Sequence, residues 1–319
     1  MGIYFLRING LIVFLFVILL AANPVFAFET NKIAIFYPEA KEPYRSIYQE
    51  IISGSQQALD DDNSSKELEH FVLKKDFETK QIVAQLRQQQ IDKLIVLGRS
   101  GYKLAKALSK QYPKEFNVVS GALPITPNGV SGISLISDPA YLFNYLNQVA
   151  PDVLKIHVAY SKRNEWLIEL AKKAAENRGL TLNLKKVVST KEAIEFYQTL
   201  FDSDISKQDA IWLPLDRVSS HDKITLPLIL EKAWSRDIVV FSSKPSHAKR
   251  GALFSTYPDN FALGQHLFKM VQELAKQPEQ KQFAALSSLQ LAVNLRTAAH
   301  LGLKYSSEQQ QQFKLTFPE

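Results

Sequence analysis

Apolar residues along this chain alternate between two kinds of run. Short, almost continuous ones stand at Lys32–Tyr37 (KIAIFY), Phe71–Leu73, Lys93–Leu97 and Asn117–Ser120. Between them lie longer stretches whose apolar positions fall on one helical stripe. Tyr44, Ile47, Tyr48, Ile51 and Ala58 make the first, Ile82, Val83 and Leu86 within Thr79–Gln90 the second, and Leu104, Ala105 and Leu108 within Ser100–Lys110 the third. Runs that are apolar along their whole length, separated by amphipathic helices, are the pattern of parallel strands buried on both faces.

The alternation then restarts. Val130–Leu135 reads as a strand, and Asp138 is placed to cap a helix over Pro139–Ala150, with Pro139 in its first turn. Lys155–Tyr160 is the next strand, Asn164–Arg178 a helix, and Gly179 its stop. Thr181–Val188, Lys191–Leu200, Asp209–Leu213, Ser219–Arg236 and Ile238–Phe241 continue the beat as strand, helix, strand, helix, strand. Two successive strand–helix series predict an α/β protein of two doubly wound parallel-sheet lobes around a cleft, with right-handed crossovers. The expected boundaries are 28–136 with 258–280 for lobe one, and 137–257 with 281–319 for lobe two. Asp138 and the Tyr257-Pro258 step mark the expected crossings between lobes, since Pro258 disfavours helix at Tyr257. Gln309–Gln312 reads as a solvated tail.

The start of the chain sets the expected compartment. Arg7 is the single charged residue before Glu29, Leu11–Ala22 is unbroken apolar sequence, and Pro24 and Val25-Phe26-Ala27 follow. That is the layout of a cleavable signal peptide over residues 1–27. The apolar run is shorter than the ~20 residues a spanning helix needs, although Ile3–Leu6 would lengthen it. With no cysteine anywhere, a lipoprotein is excluded, and the fold relies on packing rather than disulfides. A secreted, periplasmic location is expected. The net charge of +6 is spread along the chain, and no basic run is interleaved with aromatics, so nucleic acid is not an expected partner. There is no Walker A lysine motif and no GxGxxG, hence no expected nucleotide cofactor. The six histidines lack close metal-ligand spacing.

In open parallel sheets ligands sit beyond the carboxyl ends of the strands, which selects the candidate residues. In lobe one, Gly98-Arg99-Ser100-Gly101 turns from strand to helix. Ser100 and Gly101 there could seat an anion on backbone N–H groups, and Ser100 is equally suited to cap the helix. A hydrolase elbow needs glycine two residues after the serine, and Tyr102 stands in that place. Glu42, with Tyr37 and Tyr44, follows the first strand. In lobe two, Tyr160 and Asn164, with Ser161, hold the equivalent position. Asp216 follows the Ile211–Leu213 strand, where it could pair with a ligand ammonium or organise the turn with Arg217. Tyr257 at a crossing could stack on a planar solute, and Asp259 reads as the cap of the helix that follows. Lys244, His247, Lys249 and Arg250 form a basic stretch read as a solvated face.

Three segments carry a family resemblance: Ile211–Ile224 (IWLPLDRVSSHDKI), Ile238–Gly264 (IVVFSSKPSHAKRGALFSTYPDNFALG) and Leu291–Leu303 (LAVNLRTAAHLGL). Together they resemble the ABC-type substrate-binding family, whose studied members are similar to tryptophan- and tyrosine-binding lipoproteins. The matching residues are Pro214 and Asp216, Arg250-Gly251-Ala252-Leu253 with Tyr257, and Asn294 with Thr297-Ala298. The resemblance implies a type I periplasmic-binding-protein fold and capture of a solute by cleft closure, without catalysis. It also implies a monomer that delivers to an ABC permease in the inner membrane served by a separate ATPase. Where that family often has an aspartate after the Ile238–Phe241 strand, this chain has Ser242-Ser243-Lys244, and its first-lobe loop adds Arg99 and Tyr102. These departures widen the expected solute from an amino acid to other small carboxylates. The rival readings are a periplasmic sensory module that partners a membrane receptor and, from another class, a hydrolase built around Ser100.

Overall fold

The computed structural model describes residues 32–62 and 66–318; the expected signal peptide lies outside them. In lobe one the order is β1 (Lys32–Pro38), α1 (Tyr44–Asp61), β2 (Glu67–Leu73), α2 (Thr79–Gln88), β3 (Lys93–Leu97), α3 (Gly98–Gln111), β4 (Asn117–Leu123) and β5 (Ser131–Ser137). These strands pair in parallel in the order β5-β4-β3-β1-β2. The central strand β3 shows why its sequence is apolar throughout. Leu94 and Val96 pack with Ile82, Leu86 and Leu104, while Ile95 and Leu97 face Ile51, Leu263 and Leu267 on the other side. Each fully buried Leu or Ile contributes about 1.5–3 kcal/mol, so a strand lined on both faces needs no disulfide to hold it.

Lobe two contains α4 (Pro139–Val149), β6 (Lys155–Tyr160), a short 3-10 turn (Lys162–Asn164), α5 (Glu165–Glu176), β7 (Thr181–Lys186), α6 (Thr190–Asp202) and β8 (Asp209–Leu213). It continues with α7 (Thr225–Trp234), β9 (Val239–Ser242), α8 (Ser246–Lys249) and β10 (Phe254–Pro258). After α9 (Asn260–Lys276) come β11 (Phe283–Leu286), β12 (Leu289–Asn294), α10 (Leu295–His300), α11 (Ser307–Gln311) and β13 (Leu315–Phe317). The second sheet runs β13-β12-β10-β9-β8-β6-β7 and is parallel except for the β10–β12 pair. As in lobe one, β8 alternates between layers: Trp212 joins Phe143 and Phe241, and Ile211 and Leu213 join Tyr197 and Leu226.

Two expectations need correction. The segment 281–319 does not pack wholly with lobe two, because β11 pairs in parallel with β5 at the edge of the first sheet. The four residues FAAL are too short to announce a strand, and their partner is the open hydrogen-bonding edge of β5, about 150 residues earlier. The helix expected from Ser219 begins only at Thr225, because Asp216 draws the preceding residues into a turn: Val218 N–H and Ser219 N–H donate to its Oδ1, and Ser220 N–H donates to its main-chain oxygen.

The chain crosses between the sheets three times, at Ser137–Pro139, Pro258–Asn260 and Leu286–Leu289. The crossings are tied to one another. Asp138 N–H donates to Leu286 O at 2.9 Å, Asp259 N–H donates to Ser288 O at 2.9 Å, and the Ser137 and Thr256 hydroxyls meet at 3.0 Å. Asp138 and Asp259 cap α4 and α9 through Ala140 N–H and Ala262 N–H, as their spacing predicted. Beyond its crossing, α9 returns to lobe one against α1. Glycine makes this approach feasible: a Cβ on Gly264 would stand 2.0 Å from Ile51 O, and one on Gly54 1.9 Å from Phe261 O. Ser55 Oγ donates to both Ile51 O and Gly264 O across the seam.

Candidate functional site

The carboxyl ends of the two parallel sheets carry the loops that could hold a ligand, and one bond shows that they face each other. Arg163, just after β6, donates from its guanidinium to Pro124 O, just after β4, at 2.6 Å. Beside it Trp166 of α5 meets Phe283 of β11 edge-on, ring centroids 5.4 Å apart. Neither contact was among the sequence candidates, and nothing in the spacing of Arg163 or Trp166 points to a partner in the other lobe.

On the lobe-one side, Gly98 sits at φ +66°, the left-handed region that lets β3 turn at once into α3. A side chain there would also strike the Tyr48 hydroxyl, 2.5 Å from the would-be Cβ. Gly101 is buried, and its missing Cβ points at the β3 backbone, 2.8 Å from the Val96 carbonyl carbon. Its role in the structure is therefore close packing of helix on strand. Ser100 is half-buried on the first turn of α3 and Arg99 is exposed. Glu42 is exposed and spends its carboxylate on the start of α1, accepting from Ser46 N–H at 3.3 Å and from Ser46 Oγ at 2.6 Å. Those bonds hold its pKa below the ordinary carboxylate value. Tyr44 is 62 % exposed.

On the lobe-two side the candidates converge. Asp216 is 7 % exposed and its carboxylate is fully used. Oδ2 accepts from Ser161 N–H (2.7 Å) and Asn164 Nδ2 (3.0 Å), while Oδ1 accepts from Val218 N–H (2.8 Å) and Ser219 N–H (3.4 Å). Its partners are amides, and Arg217, the expected turn partner, is exposed instead. Asn164 is 1 % exposed and held through its nitrogen, which leaves Oδ1 without a protein partner; the Ser219 and Ser220 hydroxyls are also buried and unpartnered. Tyr160 is half-buried and packs on the lobe-two core. Tyr257 stands at the end of β10 with a buried hydroxyl that has no partner; burial, with Asp259 nearby, pushes its pKa up to about 12. Asp216, Asn164 and Tyr160 thus gather at neighbouring strand ends, whereas Glu42, Ser100 and Gly101 stand in lobe one and no hydrogen bond joins them to this group.

A second buried group was not anticipated. In the stretch read as a solvated basic face, Lys249 and Arg250 are exposed as expected, but His247 turns inward: it is 0 % exposed, with Nδ1 2.8 Å from Ser242 Oγ and Nε2 3.0 Å from Asp222 Oδ1. Lys244 also pairs with Asp222. Burial pushes Asp222 up, but the bonds and charges of His247 and Lys244 outweigh it and bring the carboxyl down to about 2. Asp222 itself lies in the loop before α7. Burial holds His247 below the usual histidine value against the pull of Asp222. His157 is likewise lowered by burial, donating from Nε2 to Asp209 and accepting from Asn183. Among the described residues no histidine hydrogen-bonds Ser100, no His/Cys/Asp/Glu group could hold a metal ion, and no helix is long and apolar enough to cross a membrane.

A family model described as ABC transporter substrate binding protein matches residues 48–312. No curated protein matches the chain in sequence. Among solved structures, the ligand-free, open structure of a substrate-binding protein with adhesive properties from Clostridium difficile is 16% identical. That match covers 89% of this chain and 99% of that one, with a TM-score of 0.58, and shows the fold to be shared. An ABC domain in complex with L-Trp from Streptococcus pneumonia matches at 18% identity, covering 90% and 100% of the two chains, with a TM-score of 0.49. A periplasmic ribose ABC transporter from Conexibacter woesei matches at 14% identity, covering 83% and 92%, with a TM-score of 0.45.

Proposed function

This chain belongs to the ABC transporter substrate-binding protein family, and from that premise we propose that it captures a small polar organic solute between its lobes and delivers it to an importer. The solute is an amino acid or another small carboxylate, the place of action is the periplasm, and the partners are an inner-membrane permease and its separate ATPase. The carrying observation is the convergence of Asp216, Asn164, Ser219 and Ser220, with three buried polar atoms unpartnered, at strand ends that face lobe one across the Arg163–Pro124 contact. Buried polar groups without partners are costly, and a ligand that bonds to them recovers that cost. Closure follows from differential affinity: a solute touching both lobes populates the state in which they approach. The three crossings are the natural hinge, because each is a short segment at the end of a regular element.

A thermal-shift screen of the chain from Phe28 onward, against amino acids, purines, small carboxylates and oligopeptides, tests capture. A ligand at a hundred times its dissociation constant adds about 2.7 kcal/mol of stability. A hit should then be taken up by cells that contain the protein and not by cells that lack it. A broad library without a hit overturns solute capture. A hit whose uptake is unchanged on removal of the protein overturns the importer assignment in favour of sensing.

A further inference from the structure

Asp216 has a place that a ligand ammonium could use, yet its geometry leaves no room for one. All four of its hydrogen bonds come from the protein, two at each oxygen. One of them is the Asn164 amide, which is thereby oriented. With Nδ2 committed to Asp216, the other end of the Asn164 side chain, Oδ1, is an acceptor. It is buried and has no protein partner; two hydroxyls of residues bonded to the same aspartate, Ser219 Oγ and Ser220 Oγ, are in the same condition. Ser219 is joined to the same carboxylate by its main chain, and Ser220 N–H donates to Asp216 O. The group is therefore one rigid unit, assembled from the loops after β6 and β8.

We infer that Asp216 is a positioning residue and that the lobe-two seat is the neutral set Asn164 Oδ1, Ser219 Oγ and Ser220 Oγ, which takes the hydrogen-bond-donating end of the solute. The inference rests on the solute-capture reading and gives the solute a direction. A carboxylate end is disfavoured against Asn164 Oδ1, because two acceptors would meet; it belongs on the lobe-one side, where α3 presents its first turn. The chemical class is a small molecule with an acidic end and an amine, amide or hydroxyl donor at the other.

Two measurements test this. In the first, no solute is present, and the melting temperatures of Ser219→Ala and Ser220→Ala are compared with that of the parent protein. A hydroxyl that has no partner in the folded chain costs stability, so its removal leaves the midpoint unchanged or raises it by about 1–4 °C. A fall of more than about 3 °C in both variants reveals a structural bond and overturns the seat. In the second, calorimetric titration uses L-phenylalanine, L-glutamine and L-serine as donor-bearing probes, with 3-phenylpropionate and succinate as probes that lack the donor. Asn164→Ala weakens a donor-bearing probe at least tenfold, and Asp216→Asn weakens it similarly although it leaves the shape of residue 216 unchanged. Equal binding of 3-phenylpropionate and L-phenylalanine, or affinity untouched by Asn164→Ala, overturns the proposal. If no probe binds the parent protein, solute capture of this class fails, while the melting comparison still decides whether the three atoms are unpartnered.

Discussion

The two lobes share an architecture but shape their facing loops by different means. In lobe one the loop after β3 is set by steric permission: Gly98 takes a left-handed φ, Gly101 lies against Val96, and Gly264 lets α9 touch α1. In lobe two the loops after β6, β8 and β9 are wired through carboxylates, the buried Asp216 to amides and the half-buried Asp222 to His247 and Lys244. Close packing is indifferent to pH, whereas wired charges and neutral buried histidines are not. Lobe two, with His157 and His247 lowered by burial against His266 of α9 in lobe one, should therefore be the more acid-sensitive half, and lobe one the half sensitive to added volume.

The largest effect should come from Asp216→Ala. Removing the carboxylate orphans several buried donors, each worth about 1–3 kcal/mol, so urea denaturation should show a loss of about 3–5 kcal/mol. A loss under about 1 kcal/mol would mean that water replaces the carboxylate freely and that lobe two is not wired as described. Next comes Gly264→Ala, the matching insult to lobe one. A methyl 2.0 Å from Ile51 O forces α1 and α9 apart, for a loss of about 1–3 kcal/mol that is unchanged between pH 5 and 8. A pH-dependent loss would break the contrast between the lobes.

Acid sharpens the contrast further. Burial lowers the folded pKa of both His157 and His247, so the unfolded chain binds protons more readily. Their contribution is fully present above the unfolded value near ~6.5 and is lost as pH falls below it toward the folded values. Melting temperature should thus drop from pH 7 to pH 5, and His247→Gln should drop less steeply over that range. A further decline follows below ~4, where the Asp222 carboxyl, held at about 2 in the folded protein, protonates first in the unfolded chain. The smallest effect belongs to Arg163→Ala. Its bond to Pro124 O is exposed, so stability should change by less than about 1 kcal/mol, while small-angle scattering without solute should show the lobes moving apart. An unchanged radius of gyration would show that the bond follows lobe approach and does not sustain it.

What could be read from the residues, and what could not, divides by range. Asp138 and Asp259 announced themselves as caps because a cap acts on an amide two or three residues away. Pro258 marked a crossing through its effect on the residue before it. The Asp216 hub was half legible: its place after β8 was clear, but its partners Ser161 and Asn164 stand more than fifty positions earlier. Asp222 and His247 are 25 apart and were split between a helix and a solvated face, because neither has a local signature.

The sequence by itself determined the strand–helix alternation, the two lobes and the helix caps at Asp138 and Asp259. All of these depend on periodicity and short-range chemistry. Only the tertiary structure decided that β11 closes the edge of β5, that the Asp216 carboxylate is saturated by protein donors, and that Asn164 Oδ1 is left without a protein partner. The reason is physical: which groups satisfy a buried charge depends on which loops the sheets bring to one edge, and parallel strands bring together loops far apart in sequence.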